Sequence, residues 1–349
     1  MSLPPIAVVI PAYRAEAHII QVLSKIPHFV QTIIVVDDRS PDGTAELVGR
    51  YPDPRVRLLR HAENQGVGGA VLTGYEAAIA AGAEIIVKMD SDDQMNPDYL
   101  LPLVAPIAIR QADYTKGNRF LHMRQLTSMP ILRRVGNAGL SFLTKLASGY
   151  WNIFDPTNGY TAISARVARL IRRDAVSMRY FFESSMLLEL SLLRAVVRDV
   201  PVPAFYGEEK SSLSEGDALV GFPPRLIRGL IRRILVQYFL RDFSAFSIFL
   251  IAGIFFTIFG AAWGAYHWYL SNQLGRVAST GTVMIAVLPI VLGIQFLLQC
   301  GVWDIQNIPT QPLLVELEYL QTKESQLTVR VETMRSQDFT TKSPRPSID

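Results

Sequence analysis

Two long apolar runs near the carboxyl end constrain this chain more than any other feature. Ile248 to Leu270 and Thr282 to Val302 are each roughly 20 residues with almost no charge. As helices rising about 1.5 Å per residue, each would cross a hydrocarbon layer about 30 Å thick. Trp263, Tyr266, Trp268 and Tyr269 cluster near one end of the first run, and Trp303 follows the second, as aromatic anchors do at a membrane–water boundary. A pair of buried core helices is the alternative. The runs explain how a chain that is 19% charged reaches a hydrophobic content of 49%. With 349 residues there is room for one large soluble domain besides them.

Immediately upstream, Phe222 to Arg241 reads as a basic amphipathic helix. Arg225, Arg228 and Arg232 share one face, with Ile227, Leu230, Ile231 and Ile234 opposite. Such a helix suits an anionic membrane surface; an ordinary surface helix packed on the domain is the bland alternative. The basic cluster puts this side of the first span in the cytoplasm, and the Ser271 to Gly281 loop, with only Arg276, outside. Ile6 to Ile10 is too short for a signal peptide and lacks a basic leader. The expectation is therefore an integral membrane protein with its soluble domain and both termini cytoplasmic. The membrane would be the plasma (inner) membrane in a bacterium or the endoplasmic reticulum in a eukaryote. The one cysteine, Cys300, excludes an internal disulfide. A net charge of +3 leaves the molecule weakly polarised, and nucleic acid is not an expected partner.

Residues up to about 215 alternate between short apolar runs and helical patterns. Ile6 to Ile10, Thr32 to Val36, Val56 to Leu59 and Glu84 to Met89 read as buried strands; Ala15 to Ile26, Thr44 to Arg50 and Gly66 to Ala81 read as helices. Strands joined through single helices pair in parallel, which predicts an α/β, Rossmann-like and mostly parallel sheet. Ligands of such sheets sit at the carboxyl ends of the strands. Tyr13, Asp37, Asp38, Asp90 and Asp92 all fall there. The expected organisation is a catalytic domain over 1–215, a basic interfacial helix region over 216–245, two spans within 246–303 (about 248–270 and 282–302), and a polar, partly disordered tail over 304–349, helical from Leu313 to Val331.

The chemistry centres on Met89-Asp90-Ser91-Asp92-Asp93-Gln94, which ends an apolar strand. Closely spaced carboxylates suit a divalent cation that offsets the charge of a diphosphate leaving group. Mg²⁺ or Mn²⁺ is the expected cofactor, and a solvated turn is the bland alternative. Asp42-Gly43 precedes Thr44 and suits capping of the following helix. Gly66, Gly68 and Gly69 permit either close approach to a ligand or a tight helix start. Gly260 and Gly264 form a Gly-x-x-x-Gly step that permits close helix packing, between the two spans or between protomers; a homo-oligomer is the expectation.

Ile10-Pro11-Ala12-Tyr13-Arg14-Ala15-Glu16, Val35-Val36-Asp37-Asp38-Arg39-Ser40-Pro41-Asp42-Gly43-Thr44 and Asn64-Gln65-Gly66-Val67-Gly68-Gly69-Ala70 resemble the signature blocks of family 2 glycosyltransferases with a GT-A fold. Among these the chain is most similar to the polyprenyl-phosphate sugar transferases related to dolichyl-phosphate mannose synthase, over roughly residues 5 to 215 and in its paired C-terminal spans. The resemblance implies a UDP- or GDP-linked sugar donor, with Pro11, Tyr13 and Glu16 bordering base and ribose, Asp38 bonding them with help from Asp37, and Gly66 beside the nucleotide. It implies Asp92 and Gln94 as metal ligands, with Asp90 at the sugar or metal. Asp93 departs from the apolar residue of relatives and is not assigned. Arg119 and Arg133 would bind the acceptor phosphate and count with Asp90 and Asp92 as catalytic; Asn137 and Lys210 would join them. Asp155-Pro156-Thr157-Asn158-Gly159-Tyr160 matches the block after the acceptor helix, and Tyr180-Phe181-Phe182-Glu183 one lining the sugar pocket, with Glu183 on a sugar hydroxyl.

What the resemblance implies is metal-dependent, inverting transfer of a sugar to polyprenyl (dolichyl or undecaprenyl) phosphate at the cytoplasmic membrane face. Relatives carry an arginine three residues before the glycine of the lysine element, where this chain has Ala204. That departure motivates one alternative, a transferase acting on another lipid-linked or hydroxyl acceptor. A non-enzymatic membrane scaffold that binds nucleotide-sugars is the other.

Overall fold

The computed structural model describes residues 3–119, 131–203, 215–320 and 323; side chains at 131–135, 137 and 215–220 fall outside the described set. Seven strands form one sheet: β1 (Ile6–Ala12), β2 (Thr32–Asp37), β3 (Val56–Arg60), β4 (Ile85–Lys88), β5 (Tyr114–Asn118), β6 (Thr161–Ser164) and β7 (Val197–Pro201), in the order β3-β2-β1-β4-β6-β5-β7. The β1–β2, β2–β3, β1–β4 and β5–β7 pairs are parallel. β6 runs antiparallel to both β4 and β5. The sheet is therefore mixed and mostly parallel, with flanking helices. β1, β2 and β4 are buried on both faces, as central strands covered by crossover helices must be.

β1 continues through Pro11, where an end was expected. The carbonyl of Val9 accepts the Met89 N–H on the β4 side, and that of Ala12 accepts the Asp38 N–H on the β2 side. Alternation points the backbone of residue 11 toward β4, whose ladder with β1 has already ended at the Val9–Lys88 register. The missing N–H of proline therefore costs no bond.

α1 (Ile19–Lys25) starts four residues later than the pattern predicted. The N–H groups of Ala15 and Glu16 are taken by the side chains of Thr44 (2.9 Å) and Asp42 (3.4 Å). This ties the loop after β1 to the start of α2 (Thr44–Gly49). α3 (Val67–Ala80), α4 (Leu100–Ala108), α5 (Ile131–Ser148), the single turn α6 (Ala165–Ala168) and α7 (Phe182–Leu193) complete the domain.

α8 (Glu215–Leu235) and a π-helical turn (Val236–Arg241) lead into α9 (Ala245–Leu274) and α10 (Thr280–Gln306). The basic helix differs from its sequence reading. Arg232 pairs with Glu189 at 2.5 Å while staying exposed, and Arg233 is 3% exposed against Asp304, so one arginine is buried and a second is tied to the domain at its surface. Its apolar residues split into two stripes. Phe222 and Leu226 are buried against α5 and α7 beside Ala147 and Phe181, with Leu230 packed alongside; Ile227, Ile231 and Leu235 are about half exposed.

α9 and α10 are long and apolar enough to cross a membrane, with a mean hydropathy of 2.3 in each, yet only 22% and 17% of their most apolar stretches are buried. They are not core helices. They pack as an antiparallel pair. A Cβ on Gly260 would lie 2.6 Å from the Ala286 carbonyl, and one on Gly293 would lie 2.6 Å from the Thr257 nitrogen. The Gly260/Gly264 step thus faces α10 of the same chain. After α10 the described residues return to the sheet domain at Leu313 and Leu314; the tail residues 321, 322 and 324–349 lie outside the described set. Asp113 accepts the N–H groups of Leu313 and Leu314 at 2.8 and 2.7 Å, and Leu314 joins the core.

Candidate active site

The carboxyl ends of β1, β2 and β4 collect the polar residues expected there. Asp38 is buried, and its carboxylate accepts the N–H groups of Gln65 (2.8 Å) and Gly66 (2.7 Å) and contacts His61 Nδ1 at 2.7 Å. A carboxylate has about four lone-pair sites; three are spent on shaping the loop before α3. Gly66 is confined by this arrangement. Its φ is +84°, and a Cβ there would sit 2.4 Å from the Met178 carbonyl. Gly68 likewise abuts Ser177 and Met178, so both glycines serve close backbone packing.

Asp37 is fully buried. One oxygen accepts the Ser40 N–H at 3.2 Å; the other lies 3.3 Å from Arg60 Nε without hydrogen-bond geometry. Glu16 is turned to the start of α2, accepting the Gly43 N–H at 3.0 Å. Asp42 bonds both N–H and Oγ1 of Thr44, the capping role expected. Tyr13 is 47% exposed at the mouth of this group.

A cleft of about 190 Å³ opens beside these loops. It is lined by Asp90, Asp92, Gln94, Arg119, Asn158 and Tyr160, among others. A larger groove, about 550 Å³, lies at the opposite, amino ends of β1 and β4, between Pro5, Glu84 and Arg166, away from where sheets of this kind bind ligands.

Asp90 and Asp92 are half-buried on the cleft wall. Asp92 Oδ1 accepts the Gln94 N–H at 3.1 Å, which folds the motif back on itself. Asp90 Oδ1 lies 2.8 Å from the buried Lys88 ammonium, which also contacts Glu183 at 3.0 Å. Burial pulls the Lys88 pKa down, but the Asp90 and Glu183 carboxylates outweigh it and hold the ammonium above its usual range. Asp93 points elsewhere: its carboxylate is 2.5 Å from Lys25 on α1. Among the described residues no three His, Cys, Asp or Glu side chains gather as a metal cage. Two carboxylates and an amide facing one cleft fit a cation that takes its remaining oxygens from phosphate and water, the usual habit of Mg²⁺.

Across the cleft, Arg119 is gripped by Asp155. Its Nε donates to Oδ2 at 2.8 Å and Nη2 to Oδ1 at 3.2 Å. Asp155 is fully buried and the arginine about one-third exposed. Below them, Lys116 donates to the Asn158 carbonyl. Burial lowers its pKa to about 8. Asp199 accepts from Asn118 (2.6 Å) and the Phe154 N–H (2.8 Å), and burial raises its pKa to about 6.

The cleft thus brings a carboxylate pair and a fixed guanidinium into one lining, and comparison with known proteins says which family the chain belongs to. Residues 7–171 match the family model described as glycosyl transferase family 2. The chain is 30% identical over 233 residues to the UDP-N-acetylglucosamine–dolichyl-phosphate N-acetylglucosaminyltransferase of Methanococcus voltae, covering 62% of this chain and 92% of that protein. The chain belongs to the family 2 glycosyltransferases. It is also similar to the undecaprenyl-phosphate mannosyltransferase of Micrococcus luteus (30% identity, 54% of this chain, 77% of that one). A third relative is the polyprenol monophosphomannose synthase of Mycolicibacterium smegmatis (29%, 50% and 68%). This enzyme is thus a GT-A glycosyltransferase related to the polyprenyl-phosphate sugar transferases.

In this glycosyltransferase the structure brings Asp90, Asp92, Gln94 and Arg119 to one cleft and connects Glu183 to Asp90 through Lys88. Pro11, Tyr13, Glu16, Asp37, Asp38 and Gly66 gather at the neighbouring strand ends, outside the cleft lining. Arg133 and Asn137 lie on α5 with side chains outside the described residues, as do Ala204 and Lys210 entirely. Sequence reasoning assigned no role to Lys88, Asp155 or Gly159. Lys88 left a signal, a lone charge in the apolar run Ile85-Ile86-Val87. A Cβ on Gly159 would come 2.5 Å from Lys88 Nζ and 2.6 Å from Asp90 Oδ2, so a larger residue there would displace that pair.

Proposed function

We propose that this glycosyltransferase moves a sugar from a UDP- or GDP-linked donor to a polyprenyl phosphate at the cytoplasmic face of a membrane, with inversion and with Mg²⁺ or Mn²⁺. The observation that carries this reading is the cleft lined both by Asp90, Asp92 and Gln94 and by Arg119, which buried Asp155 fixes. The relatives' names supply the acceptor class, since those compared above act on a dolichyl, undecaprenyl or polyprenol phosphate or make its mannosyl product.

In the proposed reaction a phosphate oxygen of the lipid attacks the anomeric carbon opposite the leaving diphosphate. A new carbon–oxygen bond forms as the bond to the diphosphate breaks, and the nucleoside diphosphate departs. A phosphate monoester, with a second pKa of about 6, is mostly anionic at neutral pH and needs no strong base. Arg119 orients it, and its planar fork, already set by Asp155, loses little freedom on binding. Rate then comes chiefly from positioning and electrostatics. Asp92 and Gln94 would hold the cation, with Asp90 shared between it and Lys88; when bound it acts as a Lewis acid on the departing diphosphate. Glu183, fixed by Lys88, would meet a sugar hydroxyl. Arg133, Asn137 and Lys210 would complete the acceptor phosphate site.

The soluble domain (1–215), the interfacial region (216–245) and the two spans (246–303) form one unit in this account. The exposed stripe of Ile227, Ile231 and Leu235, continued by Leu240 and Phe243, suits insertion at the interface, and α9 and α10 suit spanning. α10 is fastened to the catalytic domain at Asp304, which accepts from Trp151 Nε1 at 3.0 Å, and α9 is held at Phe246 against Tyr238 of the π-helical turn, which leaves the 275–279 loop at the far end. A screen of nucleotide-sugars against polyprenyl phosphate, read by lipid mass, tests the reading. One donor giving a glycosylated lipid phosphate supports it; no product from any donor counts against it.

A further inference from the structure

The proposed chemistry makes no use of a buried ionic cluster at the base of the helix pair. Arg233 and Asp304 are 3% and 5% exposed and meet as a fork, Nη1 to Oδ1 at 2.6 Å and Nη2 to Oδ2 at 3.0 Å. The guanidinium also donates from Nε to the Ala147 carbonyl (3.0 Å) and from Nη2 to that of Leu146 (2.9 Å). These carbonyls end α5, where a cation is favoured. The carboxylate further accepts from Tyr238 (2.7 Å) and Trp151 Nε1 (3.0 Å). One ion pair therefore joins the end of α5, α8, the π-helical turn and the last turn of α10.

We propose that the Arg233–Asp304 pair is a positioning latch that sets the acceptor side of the active site against the apolar helix pair. This rests on the lipid-phosphate reading above. Two paths lead from the latch to that side. Trp151, bonded to Asp304, lies four residues before Asp155, which grips Arg119. The segment between is fixed by Asn152 on the Val197 carbonyl (2.9 Å) and by the Phe154 N–H on Asp199 (2.8 Å). The second path is α5 itself, held at its end and carrying positions 133 and 137 about 20 and about 15 Å away, at about 1.5 Å per residue.

The turn after α5 is shaped around the guanidinium. Gly149 has φ +75°, and a Cβ there would lie 2.7 Å from Arg233 Nη1. Stability alone does not call for such a pair, because well-packed apolar residues replace buried ion pairs at little or no cost. What an apolar pair cannot do is hold the Leu146 and Ala147 carbonyls and the Trp151 N–H in fixed directions.

The full chain in nanodiscs is compared with Asp304→Asn and with the apolar double variant Arg233→Met/Asp304→Leu. Asp304→Asn is expected to raise KM for polyprenyl phosphate at least tenfold while KM for the donor and Kd for its nucleoside diphosphate stay within twofold. Amide exchange in 138–155 should accelerate while β1, β2 and β4 keep their protection. The double variant should melt near wild type yet keep the raised acceptor KM. Unchanged exchange in 138–155 in folded variants would overturn the latch whatever the acceptor is. So would a double variant that uses the lipid as well as wild type, or equal weakening of donor and acceptor. A wild-type protein that makes no glycolipid would overturn the functional reading instead, and the exchange comparison would still decide the latch.

Discussion

Arg119 and Asp155 form a two-point contact in which the carboxylate is fully buried and the guanidinium keeps about one-third of its surface open to the cleft. A buried acid that meets a partly open arginine on two nitrogens fixes the plane of the cation. Asp155→Asn keeps the shape and removes the charge. Its expected effect is a rise in KM for the lipid acceptor of about tenfold, equivalent to about 1.4 kcal/mol, with donor KM little changed. Arg119→Lys should cost as much, because an ammonium cannot reproduce the fork. Steady-state kinetics with each substrate varied in turn checks both.

The two neighbouring acids Asp92 and Asp93 should behave oppositely. Asp92→Asn removes a carboxylate from the cleft wall and is expected to cut turnover by about a hundredfold or more and to weaken Mn²⁺ binding, read by electron paramagnetic resonance. Asp93 pairs with Lys25, a half-exposed side chain, and its left-handed φ of 59° suits asparagine as well. Asp93→Asn should leave activity near wild type and change stability by less than about 1 kcal/mol.

Asp199 gives a pH signature. Burial raises its pKa from 3.8 to about 6, so between those values the folded state holds the proton more tightly than the unfolded chain. The stability this contributes is present below about pH 4 and is lost as pH rises through about 6. Asp199→Asn cannot titrate. Its stability relative to wild type should therefore rise between pH 4 and pH 7, by on the order of 3 kcal/mol at most. Thermal melts across that range check the sign; a flat difference would mean that Asp199 titrates as an ordinary surface acid.

Glycines in the helix pair divide by what they face. Gly260→Leu would drive a side chain into the Ala286 carbonyl and Ile290, whereas Gly301 has nothing within 4 Å of an added Cβ. The first substitution should destabilise the pair by about 1–3 kcal/mol and the second should be tolerated. Melting temperature and monodispersity in mild detergent distinguish them.

The central strands and the acidic motif at the cleft were legible because a strand buried on both faces leaves a continuous apolar run, and because polar residues stop that run at the site. Asp90 and Asp92 needed only that rule. Pro11 misled, since a proline ends a strand only where its N–H is required. Strands β5 to β7 were hidden: Tyr114 to Asn118 carries Lys116 and Asn118 inside, satisfied by the Asn158 carbonyl and Asp199, and partners so distant in sequence leave no periodic trace. The same reason concealed the roles of Lys88 and Asp155. Arg233, next to the Arg225, Arg228 and Arg232 face but not on it, carried no assignment, because nothing local reveals that Asp304, 71 residues on, will meet it.

The most direct test of the account compares polyprenyl phosphate with the corresponding polyprenol, using purified full-length protein, the preferred nucleotide-sugar and Mg²⁺ or Mn²⁺. The account predicts a glycosylated lipid phosphate of inverted anomeric configuration, formed only from the phosphorylated lipid and lost with chelation of the metal. Equal transfer to the phosphate-free alcohol would contradict it.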